Sequence, residues 1–482
     1  MPRTSPLSAL IALVLTAHPA PTRADGLPDL AFGTDGFVQY EHSPIAEEPN
    51  IERGLRLGRS ANGEIVALAQ HRYDDAAASN GPLLVRFAPG GALRGANLFV
   101  AGFPSPPDPP ITATDLDANR RAIFIGESGG GTSLELFTAV PVMPGSNFVP
   151  NLQASIPPEA GQGDFHRAVV GLPDGGIVVC GMRQTPFATG LTQMPLCRRF
   201  TAEGFIDFTF GNESAFAGPG VFFLNDSDLP GLQAGRILAA GVDRQGRLLL
   251  GGSIRIEGVA SELAFSARLL PQGDFDPDYC PDPVCSDATA TAPGWRADAI
   301  SDATHYTEGA LIERPDGVVA RAYDVERESN AQPQVALTFH ADDGALQHGD
   351  TLQLGEWTRV GGQLGVLSDE RLILPLSYRV DATTQYGALA RVNAQPAVEG
   401  LLDPTFAYAP SGVTQIAGIS VIRPSLVTGP ATSVECNAVL VDSDRLTCAG
   451  LVRVGDAPVN VDLLLARVQI EAPEPLFEDG FE

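Results

Sequence analysis

A unit of strand, tight turn, strand, loop and strand recurs along this chain, and the recurrence limits the available folds more than any other feature. The clearest copy spans residues 167–210, RAVVGLPDGGIVVCGMRQTPFATGLTQMPLCRRFTAEGFIDFTF. Its second strand, 176–182 (GIVVCGM), has relatives at 64–70, 122–127, 247–253, 318–323, 371–377 and 445–451. A turn precedes each one. Asn62-Gly63, Asp174-Gly175, Gln245-Gly246 and Asp316-Gly317 suit a backbone that must take positive φ. Asn119-Arg120, Asp369-Glu370 and Asp444-Arg445 lack the glycine, which predicts turns of a different form.

A first strand precedes each turn, at 54–60, 111–117, 167–173, 237–243, 308–314, 362–368 and 436–442. These strands are rich in Gly and Ala, as crowding near an axis requires. A third strand follows a variable loop and carries Arg or Thr beside an apolar residue, as in LLVRF from Leu83, LCRRF from Leu196 and LLLARV from Leu463. The turns fall about 53 to about 75 residues apart, so the strands are fixed and the loops are elastic. Fourth strands are read at 96–103, 221–226, 350–355 and 412–417. The seventh unit has no room for one. LPDLAFGTDGFVQYE from Leu27 matches fourth-strand entries elsewhere, such as GFIDFTFGNES from Gly204 and GLLDPTFAYAP from Gly400, so it is expected to complete that unit. The expectation is an all-β, seven-bladed β-propeller with four-stranded blades over residues 25–470, its ring closed by the N-terminal strand.

The alternation of LDPTFA or DLAFGTDG, a strand, PDGGIVVCG, and a strand ending in LARVN or RRFTAEG resembles the bacterial delta-60 repeat family. The resemblance covers about residues 27–470, best in the third unit and least in the second, fifth and seventh. It implies an exported, propeller-like bacterial protein and assigns no functional residue.

The chain has 482 residues, too many for one ordinary core unless the core is built by repetition. Gly (52) and Pro (40) suit many turns between short strands. Net charge is −27, and every basic residue except His is Arg, so nucleic acid and anionic lipid surfaces are poor partners. Arg3 followed by the apolar run 7–17 (LSALIALVLTA) reads as a secretory signal peptide cut after Ala24. No stretch reaches the ~18–20 apolar residues of a spanning helix. The expected location is secreted, periplasmic or cell-surface. The acidic tail 471–482 (EAPEPLFEDGFE) leaves the repeat and reads either as a sorting tag or as a disordered end.

An even number of cysteines on an export route points to disulfides, and the local pairings Cys180–Cys197, Cys280–Cys285 and Cys436–Cys448 join segments already adjacent. A constant-sum hairpin register for Cys436 and Cys448 places a three-residue turn at 441–443. Asp274, Asp276, Asp278 and Asp282 crowd around Cys280 and Cys285, oxygen donors that suit Ca²⁺, although acidic Pro-rich loops are ordinarily just solvated. Asp115-x-Asp117-x-Asn119 opens like a calcium loop but lacks its later ligands. Gly126-Glu127-Ser128-Gly129-Gly130 fits G-x-S-x-G, yet a strand follows it where a nucleophile elbow needs a helix. The histidines at 42, 71, 166, 305, 340 and 348 read as single surface or loop residues. No cofactor is required. The expected function is a non-enzymatic exported scaffold that binds a surface partner, polymer or ligand through its loops, above all those after Arg183, Ser227, Phe275 and Ile422. The alternative is a secreted hydrolase or lyase acting through axial carboxylates.

Overall fold

The computed structural model describes residues 25–41, 50–73, 81–99, 111–117, 119–128, 133–141, 148–156, 163–187, 190–211, 220–225, 228–281, 284–300, 303–328, 330–426, 429–454 and 461–470. The apolar run at 7–17 and the tail at 471–482 lie outside them. Among the described residues the chain is all-β, with several small antiparallel sheets and one four-residue helix, Pro396–Glu399. No helix there is long and apolar enough to cross a membrane.

Each unit of the sequence becomes an antiparallel group. Unit one is Asn50–Arg59, Ile65–Tyr73, Gly81–Phe87 and Leu93–Leu98. Unit two is Ile111–Leu116, Ala122–Ser128, Ser133–Pro141 and Phe148–Ile156. Unit three is Gly163–Gly171, Ile177–Phe187, Gly190–Phe200 and Val221–Phe223. Unit four is Leu232–Val242, Leu248–Ile256, Leu263–Leu269 and Trp295–Asp298. Unit five is Ala303–Glu313, Val319–Arg327, Asn330–His340 and Leu346–Leu352. In unit six the first strand is split into Trp357–Val360 and Gly365–Val366, followed by Leu372–Asp381, Thr384–Val392 and Ile419–Ile422. Unit seven is split likewise into Gly429–Val434 and Ala438–Val441, followed by Arg445–Val454 and Val461–Gln469. Phe37–Tyr40 pairs with Val461–Gln469, from Phe37 opposite Ala466 to Tyr40 opposite Leu463. Units two to five are separate sheets; six, seven and one are joined into one by the parallel pairs Gln385–Ser433 and Ile51–Val461, and the bridge Gln363–Ala438 adds a second link between six and seven.

The core lies between units. Alternate residues of a second strand face opposite neighbours: Ile177 and Val179 pack towards unit two, Val178 and Cys180 towards unit four. Both faces are buried, so these strands are continuous apolar runs. Units one and seven share a cluster too, with Leu57, Ile65 and Val85 against Ala449, Leu463 and Leu465. The first strands carry glycine where they touch. A Cβ on Gly58 would fall 2.0 Å from Leu116 Cδ2, and one on Gly241 2.6 Å from Leu311 Cδ1.

The turns correct one expectation. Gly175 (φ 88°) closes a three-residue loop in which Leu172 N–H donates to Gly176 O and Gly175 N–H to Leu172 O. Arg120 (φ 60°) and Glu370 (φ 70°) adopt the same left-handed conformation with the same bonds, despite lacking the glycine. Only the Asp444-Arg445 turn differs: Asp442 N–H donates to Arg445 O across two residues. That shift also corrects the Cys436 register. Val439 faces Cys448, and Cys436 stands at an irregularity between the two halves of the first strand, so no constant sum applies. In unit six, Pro375 interrupts the ladder because it has no N–H, and its carbonyl accepts instead from Gly361. The fourth strand of unit six is Ile419–Ile422, downstream of the expected 412–417. Units two and four have fourth strands that the sequence did not reveal.

A repeated clip follows the third strand. In D-x-x-F/Y, the Asp N–H donates to the carbonyl of a third-strand Arg: Asp207 to Arg199, Asp276 to Arg268, Asp403 to Arg391 and Asp29 to Arg467. The aromatic N–H then returns to the Asp carbonyl in each case, at Phe210, Tyr279, Phe406 and Phe32. The guanidinium lies over the ring at 5.2 Å for Arg268–Tyr279, 4.8 Å for Arg391–Phe406 and 4.1 Å for Arg467–Phe32. The next N–H reaches the following unit: Gly211 to Gln272 O, Cys280 to Asp343 O and Gly33 to Gly90 O. The N-terminal segment is therefore the clip of unit seven, and it reaches unit one.

Two variants test these contacts by denaturant unfolding. Glu370→Gly relieves a left-handed side-chain residue and is expected to stabilise by about 1 kcal/mol. Arg391→Met removes a fully buried guanidinium from Asp25 and Asp403 and is expected to cost about 3 kcal/mol.

Candidate functional site

First strands of neighbouring units run side by side in one direction, as their matching contacts show: Arg59 with Asp442 (2.7 Å) and Arg244 with Glu313 (3.3 Å). All seven line a single cavity of about 810 Å³. A one-residue bulge in units one to four turns a residue onto its wall. The extra residues are Leu55, Thr112, Arg167 and Leu238. The second strand makes room with glycine in two of these units. A Cβ on Gly181 would sit 1.9 Å from Phe165 O, and one on Gly252 2.0 Å from Arg236 O.

Several wall charges are paired across unit boundaries. Arg53 meets Glu435 at 3.1 Å and Arg56 meets Asp115 at 2.7 Å. Asp115 also accepts the Gly171 N–H at 2.9 Å. Gln363 holds both backbone groups of Leu57, accepting its N–H at 2.7 Å and donating to its carbonyl at 2.9 Å.

Unit five departs from the pattern. Tyr323 stands where units three and four have Gly181 and Gly252, and its bulge moves one step along, so Thr307 and Glu308 together oppose Asp324. Asp324 is 1% exposed and lines the cavity. Its Oδ1 accepts the Val360 N–H of unit six at 2.7 Å. Among the described residues its Oδ2 has no hydrogen-bond partner. Burial pushes this carboxyl up to about 8, against the Val360 N–H; the Glu308 charge adds to the rise and the Arg359 charge opposes it. Arg359 in turn lies 5.3 Å from the Trp357 ring, which Arg379 approaches from 5.6 Å. A neutral acid, an anion and a cation thus meet on one stretch of wall, a set that can donate to, accept from and orient a polar ligand.

The sequence did not single out Asp324, Glu308 or Arg359. The available signal was weak: Asp324 lies in the fifth second strand at a position held elsewhere by Gln70, Glu127, Met182, Ser253, Ser377 and Leu451.

The other candidates resolve differently. Cys180–Cys197, Cys280–Cys285 and Cys436–Cys448 are disulfide-bonded, and Cys180 faces Cys197 directly across the strands. Asp276 is buried against Arg268 (2.7 Å) and Arg247 (3.2 Å), Asp274 and Asp278 are exposed, and Asp282 lies outside the described residues. Among the described residues no three His, Cys, Asp or Glu gather as a metal site. Asp117 clamps its own turn through Arg121, at 3.0 Å. After Ala122–Ser128 the chain returns as the strand Ser133–Pro141, so G-x-S-x-G is a hairpin; residues 129–132 are not described. His71, His166 and His340 are buried, a correction to the surface reading. His340 meets Arg321 at 2.8 Å and Asp298 at 3.4 Å, and burial and the Arg321 charge lower it to about 4. The stretch after Arg183 is a strand extension pairing Thr185 with Thr192, where a loop was expected.

No family model matches the sequence, and no curated protein matches it. Among solved structures, the chain is similar to a protein of unknown function from Dyadobacter fermentans at 11% identity and TM-score 0.44, over 90% of this chain and 99% of that one. It is similar to the polysaccharide lyase Uly1 at 10% identity and TM-score 0.45, over 92% and 96%. The α-L-arabinanase of Penicillium chrysogenum follows at 10% identity and TM-score 0.39, over 89% and 96%.

The Asp324 carboxyl makes stability depend on pH. Its folded-state pKa is raised, so the native state holds a proton that the unfolded chain releases above about pH 4. Stability attributable to this group is full below that pH and is lost as pH rises to about 8. Asp324→Asn is expected to remove this part of the decline, on the order of a few kcal/mol, in urea unfolding at pH 5 compared with pH 9.

Proposed function

We propose that the protein is an exported seven-bladed β-propeller of the delta-60 repeat kind that binds a ligand from the cell-surface environment, without catalysis, in its axial cavity. One observation carries the reading: the first strands of all seven units line one cavity of about 810 Å³. Seven antiparallel groups, cores shared between consecutive units, and an N-terminal segment that clips unit seven to unit one support the ring. Three disulfides fit an oxidising compartment and therefore export. The site moves from the loops, where the sequence pointed, to the axis.

A second reading, a hydrolase or lyase acting through axial carboxylates, is favoured by one observation. Asp324 holds its proton to about pH 8 beside Glu308, a pairing that keeps an acid and a base side by side.

The test is occlusion. Leu55→Trp and Thr112→Trp place an indole on the cavity wall at bulge positions. With polysaccharide fragments as probes, the native protein is expected to show a ligand-dependent rise in melting temperature that both variants lose. Binding that survives both substitutions rules out the cavity as the site. New reducing ends released from the same fragments move the reading to the hydrolase.

A further inference from the structure

Unit five breaks the repeat in a way that its scaffold role does not need. The other units with a mapped bulge place a single extra residue on the wall, and units three and four oppose the bulge with glycine. Here Tyr323 replaces that glycine and is itself buried, its hydroxyl 3.3 Å from Phe265 O, within hydrogen-bonding reach. The bulge is displaced, Glu308 is exposed at it, and Asp324 is carried under it. A buried carboxyl with one oxygen unpartnered costs stability unless something else uses it. Asp324 is among the residues that line the cavity, and no described residue satisfies its buried Oδ2.

We propose that Asp324, Glu308 and Arg359 form a recognition site for a ligand hydroxyl pair, as on a neutral sugar. The inference rests on the axial binding reading above and adds the ligand class and its pH control. Asp324 O–H donates to one hydroxyl oxygen, the Glu308 carboxylate accepts from a hydroxyl hydrogen, and Arg359 donates to a neighbouring oxygen. An amine ligand would instead be drawn to two ionised carboxylates. The groups facing Asp324 decide between these cases. Glu308 from its own first strand disfavours a second negative charge, Arg359 from unit six favours it, and the third strand presents only Val335 opposite. Burial then tips the group to the neutral donor. Tyr323 and Val325, its neighbours in sequence, pack in the cluster on the unit-four side and do not touch this balance.

Calorimetry with neutral oligosaccharides (cellohexaose, maltohexaose and a linear arabinohexaose) on the full chain tests the proposal. At least one is expected to bind at pH 6 and to weaken tenfold or more as pH rises through about 8. Asp324→Asn keeps a neutral donor and the acceptor for Val360 N–H, so it should bind at both pH values. Asp324→Leu and Glu308→Gln should each lose tenfold or more at pH 6. Circular dichroism and melting of each variant separate lost binding from lost folding. If none of the three sugars binds, the ligand class is wrong. If a sugar binds, Leu55→Trp abolishes it, and Asp324→Asn leaves the pH profile unchanged, then the axial reading stands and the Asp324 site falls. Tighter binding of an amine probe, spermidine, with rising pH also overturns it.

Discussion

The contact on which the rest depends is the clip formed by a third-strand Arg, the Asp of D-x-x-F/Y and the aromatic ring that follows. A small antiparallel group of strands cannot bury two apolar faces alone, so each unit must be held against its neighbours. In units three, four, six and seven the clip does this. The Asp backbone closes onto the Arg carbonyl, the ring lies near the guanidinium, and the next N–H crosses to the following unit. Arg suits the position because its flat cation can stack and pair at once. Burial by itself raises the Asp403 carboxyl, but hydrogen bonds from Thr405 and Arg371 and the charge of Arg391 hold it below its ordinary value.

Along the cavity a different rule operates. First strands meet edge to edge, and glycine lets them approach. In units one to four a bulge turns one residue of the first strand onto a shared wall, where cross-unit ion pairs such as Arg53–Glu435 and Arg56–Asp115 cancel part of the charge. On such a wall a buried carboxyl oxygen with no described hydrogen-bond partner is conspicuous. Asp324 carries one, and it sits in the unit whose bulge is displaced.

Much of the architecture was legible in the residues. Continuous apolar runs marked the second strands, Asp-Gly and Asn-Gly marked the turns, and the likeness of LPDLAF to LDPTFA announced the role of the N-terminal segment. Turn dipeptides misled only where a non-glycine residue took positive φ, as Arg120 and Glu370 do. There the hydrogen bonds of the hairpin outweigh a local steric cost of about 1 kcal/mol. The Cys436 register was misread because a bulge changes strand register without leaving a mark in periodicity.

What the sequence alone determined is the repeat, the all-β class and the cysteine partners, because each follows from short-range pattern: alternation, turn chemistry and proximity along the chain. What only the tertiary structure decided is which polar residues share a wall. Asp324 and Glu308 lie on different strands of one unit and Arg359 on another unit, and their meeting depends on a one-residue displacement of a bulge. Charge state follows from that burial, so the same Asp that reads as a solvated anion in the chain becomes a neutral acid in the fold.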